Sequence, residues 1–185
     1  NKERALELYE SSAMMADELK ELSEWDYQYL RAIIRLAQAR FWLENNMKRT
    51  ESLDNLEESL KAWKFLTAEP FAFVHYQIGY AEAQCALAEQ RMLDPATRAE
   101  AAELLHKSRS TLNNQIGKSP SFANLYYLQS RTLDALSRLE QLEGHTDPAA
   151  TYHQQALEQA KAASEKSADT IAYREWYQQL ETRKK

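Results

Sequence analysis

Apolar residues along this chain recur at three- and four-residue steps rather than in alternation. Leu53, Leu56, Leu60 and Trp63 form one such stripe, and Leu125, Leu128, Thr132, Leu136 and Leu139 another. A stripe of that period covers one face of an α-helix, and that face needs a neighbour. The breaks between stripes carry helix punctuation. An oxygen-bearing N-cap is followed in three places by proline, whose missing N–H does no harm in a first turn: Asp94-Pro95, Ser119-Pro120 and Asp147-Pro148. Ser23 and Asp169 mark two further starts, and the segment from Asn45 to Thr50 separates another pair of helices. Gly117 and Gly144 stand just after apolar stretches, where a left-handed C-terminal residue is least strained. The pattern predicts eight helices, over roughly 2–20, 24–45, 50–68, 71–93, 95–116, 120–142, 148–167 and 169–183.

Alternate helices repeat one another. A small residue, a larger one four later and a second small one three after that occur as Ala5, Tyr9, Ser12, then Ser52, Leu56, Ser59, then Ala101, Leu105, Ser108, then Ala149, His153, Ala156. The copies are 47, 49 and 48 residues apart, and the intervening helices carry aromatics near their starts at Trp25, Phe73 and Phe122, again 48 and 49 apart. Two markers with one period imply helical hairpins that cannot bury their apolar faces alone. Such hairpins stack, with small residues where backbones approach and large ones between layers.

Composition narrows the class further. One valine, Val74, and five isoleucines leave little material for a sheet, whereas alanine, leucine, glutamate and glutamine, which lose little rotamer freedom in a helix, dominate. A length of 185 residues fits one domain or one short repeat array with a real core. The formal charge of −5, with no basic block, disfavours nucleic acid. Cys85 is the sole cysteine, so no internal disulfide can form. No apolar run approaches the ~20 residues that cross a bilayer. The chain opens on Asn1 without a signal-peptide pattern, and it is expected to be a piece excised from a longer protein.

The small–large–small second helix, the aromatic opening of the first, and Pro70 and Pro120 before the next unit resemble the tetratricopeptide-repeat (TPR) family, although these repeats exceed its standard length of about 34 residues. At that family's glycine position this chain has Tyr29, Gln77 and Tyr126. The resemblance implies an all-α fold: antiparallel hairpins stacked as a TPR-like right-handed superhelix, an α-solenoid. It implies a single domain over 1–185, with a partial unit at 1–20, full units at 24–68, 71–116 and 120–167, and a capping helix at 169–183.

Motifs for chemistry are sparse. Gly79, Gly117 and Gly144 are too far apart for a phosphate-cradling loop. Glu103 and His106 have the spacing used twice in di-iron bundles, but here it occurs once, so neither a metal nor another cofactor is expected. Cys85 reads as a small buried thiol, and no strained nucleophile turn is present. Trp25, Trp42, Trp63 and Trp176 read as packing residues, and Met14-Met15 as gap-filling core. Adjacent residues on a helix diverge by about 100°, so one member of each pair Tyr126-Tyr127 and Trp176-Tyr177 should look outward. Arg31 and Arg35, one turn apart, are expected to pair with Glu24, Asp26 or a neighbouring helix.

In the family that the chain resembles, the first helices of successive units line a concave groove for an extended or helical peptide. Carried over position by position, that row includes Tyr27, His75 and Asn124, then Leu30, Ile78 and Tyr127, then Ile34, Glu82 and Arg131. Packing between units is the competing reading of the same residues. The expectation is a non-catalytic scaffold for a protein or peptide partner, the interaction or sensory region of a larger signalling protein. The alternative is a helical bundle that senses a small molecule. Nucleic acid and membrane insertion are not expected, and a homodimer through an open terminal helix is a further option. The expected compartment is the cytoplasm, or the periplasm or a membrane tether where another segment anchors the parent.

Overall fold

The computed structural model describes residues 2–18, 23–68 and 73–183, and among these every regular element is helical. The order is α1 (Lys2–Glu18), α2 (Glu24–Glu44), α3 (Arg49–Leu66), α4 (Val74–Arg91), a 3₁₀ turn (Pro95–Thr97), α5 (Arg98–Lys118), α6 (Ala123–Leu142), α7 (Thr146–Lys166) and α8 (Ile171–Thr182). Pro70 and the expected starts and ends at 20, 71 and 185 lie outside the described residues. None of the described helices is long and apolar enough to cross a membrane.

Local chemistry explains most boundaries. Ser23 caps α2, its Oγ accepting the Asp26 backbone N–H at 3.3 Å. Asp94 caps only the 3₁₀ turn, through Ala96 N–H, and the α-helix proper begins four residues later at Arg98. Pro120 and Pro148 do not sit at first helical positions. α6 starts at Ala123 behind Phe122, and α7 starts at Thr146 behind His145, which puts Pro148 third in its helix. A proline is tolerated there because that N–H has no partner within the helix. Gly144, at φ +80°, closes α6 as expected, with His145 N–H donating back to the Glu140 carbonyl at 2.8 Å. Gly117 instead lies inside α5. The α2–α3 turn has no glycine and places Asn46 and Lys48 at φ +54° and +40°.

The chain divides into two compact units, Asn1–Leu87 and Ala88–Lys185, and the division falls within α4. In the first unit α2 and α3 are antiparallel and cross closely. The Ser59 hydroxyl donates to the Ala32 carbonyl at 2.7 Å, Asn55 Nδ2 donates to Gln38 Oε1 at 3.0 Å, and Arg31 pairs with Glu58. In the second unit α6 and α7 cross in the same way. Ser130 donates to the Ala156 carbonyl and Ser137 to the Ala149 carbonyl, each at 2.7 Å.

These crossings expose a repeat finer than the aromatic markers. Ala32, Ala81 and Ser130 stand 49 residues apart in α2, α4 and α6, and Ala39, Ala88 and Ser137 follow them by seven; all six are at most 2% exposed. Ser59, Ser108 and Ala156, with Ser52, Ala101 and Ala149, are equally buried in α3, α5 and α7. A hydroxyl that reaches the facing helix's carbonyl requires backbones within one serine of each other, so the α2–α3 and α6–α7 crossings tolerate no larger side chain at these levels. The hydroxyl changes sides: Ser59 bonds across to Ala32, whereas at the equivalent crossing Ser130 bonds across to Ala156.

Helices two apart in sequence also pack, through partners separated by about one repeat. In the first unit α2 meets α4 through Tyr29 and His75 and through Arg40 and Glu82. In the second, α5 meets α7 through Arg109 and Gln155, and α6 meets α8 through Asn124 and Tyr173. The all-α fold and its extensive helix–helix packing are thus as expected.

Candidate functional site

The residues expected to line a groove fall into two separate settings. In the first unit, Tyr27 and Leu30 are half-buried on α2, His75 is exposed at the start of α4, Ile78 is 6% exposed, and Glu82 is paired with Arg40. Ile34, on the same row, is half-buried. In the second unit, Asn124 accepts a hydrogen bond from Tyr173 Oη at 3.4 Å, Tyr127 stacks on Tyr173 with ring centres 4.9 Å apart, and Arg131 pairs with Glu89 at 3.4 Å. The three α6 residues therefore contact α8 or α4.

His75 belongs to a continuous aromatic cluster. Trp25, Tyr29, Trp63, Phe65, Phe73 and Tyr76 meet it and one another at centroid distances between 4.2 and 6.3 Å. Trp63 is buried deepest, its indole lying where a Cβ on Gly79 would be, so only glycine lets α4 approach α3 at that level. The other side of the cluster opens outward: Phe73 is 65% exposed and Phe65 41%. Phe73 stacks on His75 at 5.5 Å and 19°, and Phe65 tilts over Trp25 at 5.4 Å. The result is an exposed aromatic surface over a buried aromatic base. Periodicity alone reads these rings as packing residues; only the exposure of Phe65 and Phe73 separates the rim from the core.

Other expectations resolve residue by residue. Tyr127 and Trp176 face the α6–α8 contact, whereas Tyr126 Oη bonds the Pro120 carbonyl and Tyr177 Oη bonds Glu181. The Glu181 carboxylate holds the Tyr177 hydroxyl above the ordinary tyrosine range, and burial together with Tyr127 raises that of Tyr173. Arg31 pairs with a neighbouring helix, as does Arg35 through Asn55 Oδ1 at 3.3 Å. Cys85 is buried. Met14 and Met15 are not core: they are 65% and 58% exposed, beside Leu8 at 61% on α1. Glu103 bonds Lys107, which lowers its pKa, and no group of three or more potential metal ligands occurs among the described residues.

No protein-family model matches the chain, and no curated protein or solved structure matches it significantly.

Proposed function

We propose that this protein is a non-catalytic helical-repeat scaffold that holds a protein or peptide segment against its first unit, within a TPR-like stack of hairpins. The observation that carries this reading is the aromatic surface of Phe65, Phe73 and His75. Two large apolar rings stay wet although a stacked base beneath them is ready to support a guest. Aromatic residues in such settings supply most of the energy of an interface at small cost in side-chain entropy. Tyr27 and Leu30, half-buried on α2, are the proposed flank. The fitting guest is a segment with an apolar or aromatic anchor.

The test is capture of partners by the 185-residue protein, with Phe65→Ala/Phe73→Ala as the comparison and circular dichroism as the control for folding. Affinity for a captured partner should fall at least about tenfold, or 1.4 kcal/mol. Unchanged capture by a correctly folded double variant would remove the aromatic surface from the reading.

A further inference from the structure

The third hairpin breaks its own repeat at one level of the core. Leu36 on α2 and Leu56 on α3, in the first hairpin, have Cys85 on α4 and Leu105 on α5 as their counterparts 49 residues on in the sequence, all at most 6% exposed. The counterparts in the third are Asp134 and His153. A hairpin that only had to pack would keep an apolar pair, because an ionisable group at such a level costs desolvation and needs partners. Asp134, 2% exposed, does find them: Arg183 Nη1 lies 3.1 and 3.3 Å from its two carboxylate oxygens, and Arg138 Nε lies 3.2 Å from one. His153 does not, since its Nε2 is buried without a hydrogen-bond partner.

Both residues line a cleft of about 720 Å³ whose wall also includes Arg138, Arg183, Thr146 and Gln154. That volume lies in the range of small-molecule sites. Its chemistry has a sign. Two guanidiniums face the Asp134 carboxylate, with Arg138 also paired to Glu89, the His153 imidazole lines the wall, and Thr146 brings the first turn of α7 to it, where the helix dipole favours negative charge.

We infer that this cleft is a binding site for a small organic oxyanion, a carboxylate or a phosphate monoester, held by Arg183 and His153 with Asp134 fixing the guanidinium. The site lies wholly in the second unit and is independent of the aromatic surface of the first. Its signature is a trade of stability for binding, and His153→Leu, which restores the aliphatic residue of the other hairpins, reads both at once.

Calorimetric titration of the 185-residue protein in 0.15 M NaCl with citrate, glucose 6-phosphate and inorganic phosphate tests it. At least one should saturate at submillimolar concentration. Citrate alone identifies a carboxylate site; glucose 6-phosphate, with or without inorganic phosphate, identifies a phosphate site. His153→Leu should weaken that ligand at least tenfold while raising the ligand-free melting temperature by about 3 °C. Arg183→Gln, checked for folding by circular dichroism, should weaken it by a similar factor. His153→Gln replaces His153→Leu if the latter does not fold, and only the tenfold loss is then read. No saturation by any of the three anions at 10 mM, or full affinity in folded His153 and Arg183 variants, would overturn the site.

Discussion

Single atoms decide much of this structure. Alanine is the better helix former by up to about 1 kcal/mol, so Gly79→Ala in the middle of α4 would ordinarily stabilise. Here the added methyl collides with the buried Trp63 ring, and overpacking of that kind costs about 1–3 kcal/mol. Urea denaturation should therefore show net destabilisation; a more stable Gly79→Ala would mean that Trp63 gives way readily. At the α2–α3 crossing, Ser59→Ala removes one buried hydrogen bond and should cost about 1 kcal/mol. Ser59→Leu should cost considerably more, since it also drives the helices apart. Tyr173 sets a pH limit. Its hydroxyl is harder to ionise folded than unfolded, so its contribution is fully present below the unfolded value near 10 and is lost as pH rises through the higher folded value. Absorbance at 295 nm should show a tyrosine titrating late, and Tyr173→Phe should flatten the alkaline loss of stability.

Among the helices, α8 is short yet well anchored. Trp176 Nε1 donates to Ser130 Oγ at 2.9 Å, Leu180 is fully buried, and Arg183, just past its end, reaches Asp134. Deleting residues 171–185 would strip Arg183 from the Asp134 carboxylate, which Arg138 also faces. Stripping one partner from a buried ion pair costs about 3–5 kcal/mol, and the loss in urea should reach the lower end of that range. Existence and order of the helices were legible from periodicity and caps, because each apolar stripe needs a covering face whatever its partner. Boundaries were less so. Ser119-Pro120 and Asp147-Pro148 look like N-caps, but neither the hydroxyl nor the proline fixes the start once Phe122 and His145 take the cap positions. The small buried residues Ala32, Ala81 and Ser130 were present in the sequence at a constant 49-residue step. They were hidden because alanine is abundant and serine alternates between facing helices. The exposure of Phe65 and Phe73 could not be read at all, since an aromatic on a stripe looks the same whether or not a neighbour covers it.

At the scale of the whole chain, burial is uneven. More than half of α6 is buried, from Leu125 through Leu139, whereas α1 leaves Leu8, Met14 and Met15 in water. Opening free energy follows local packing, so amide exchange should be slowest in α6 and fastest in α1. A separation of at least a hundredfold between the two is expected by mass spectrometry; equal rates would mean that α1 is held as firmly as the core. The lone thiol adds a second observable. Cys85 lies 5% exposed in the middle of α4, with no other cysteine to compete for reagent. A maleimide or disulfide dye can react there only when the surrounding layer breathes, so labelling kinetics on the unaltered protein amount to a stopwatch for that breathing. Any guest that clamps the first unit would slow the stopwatch without an engineered tag.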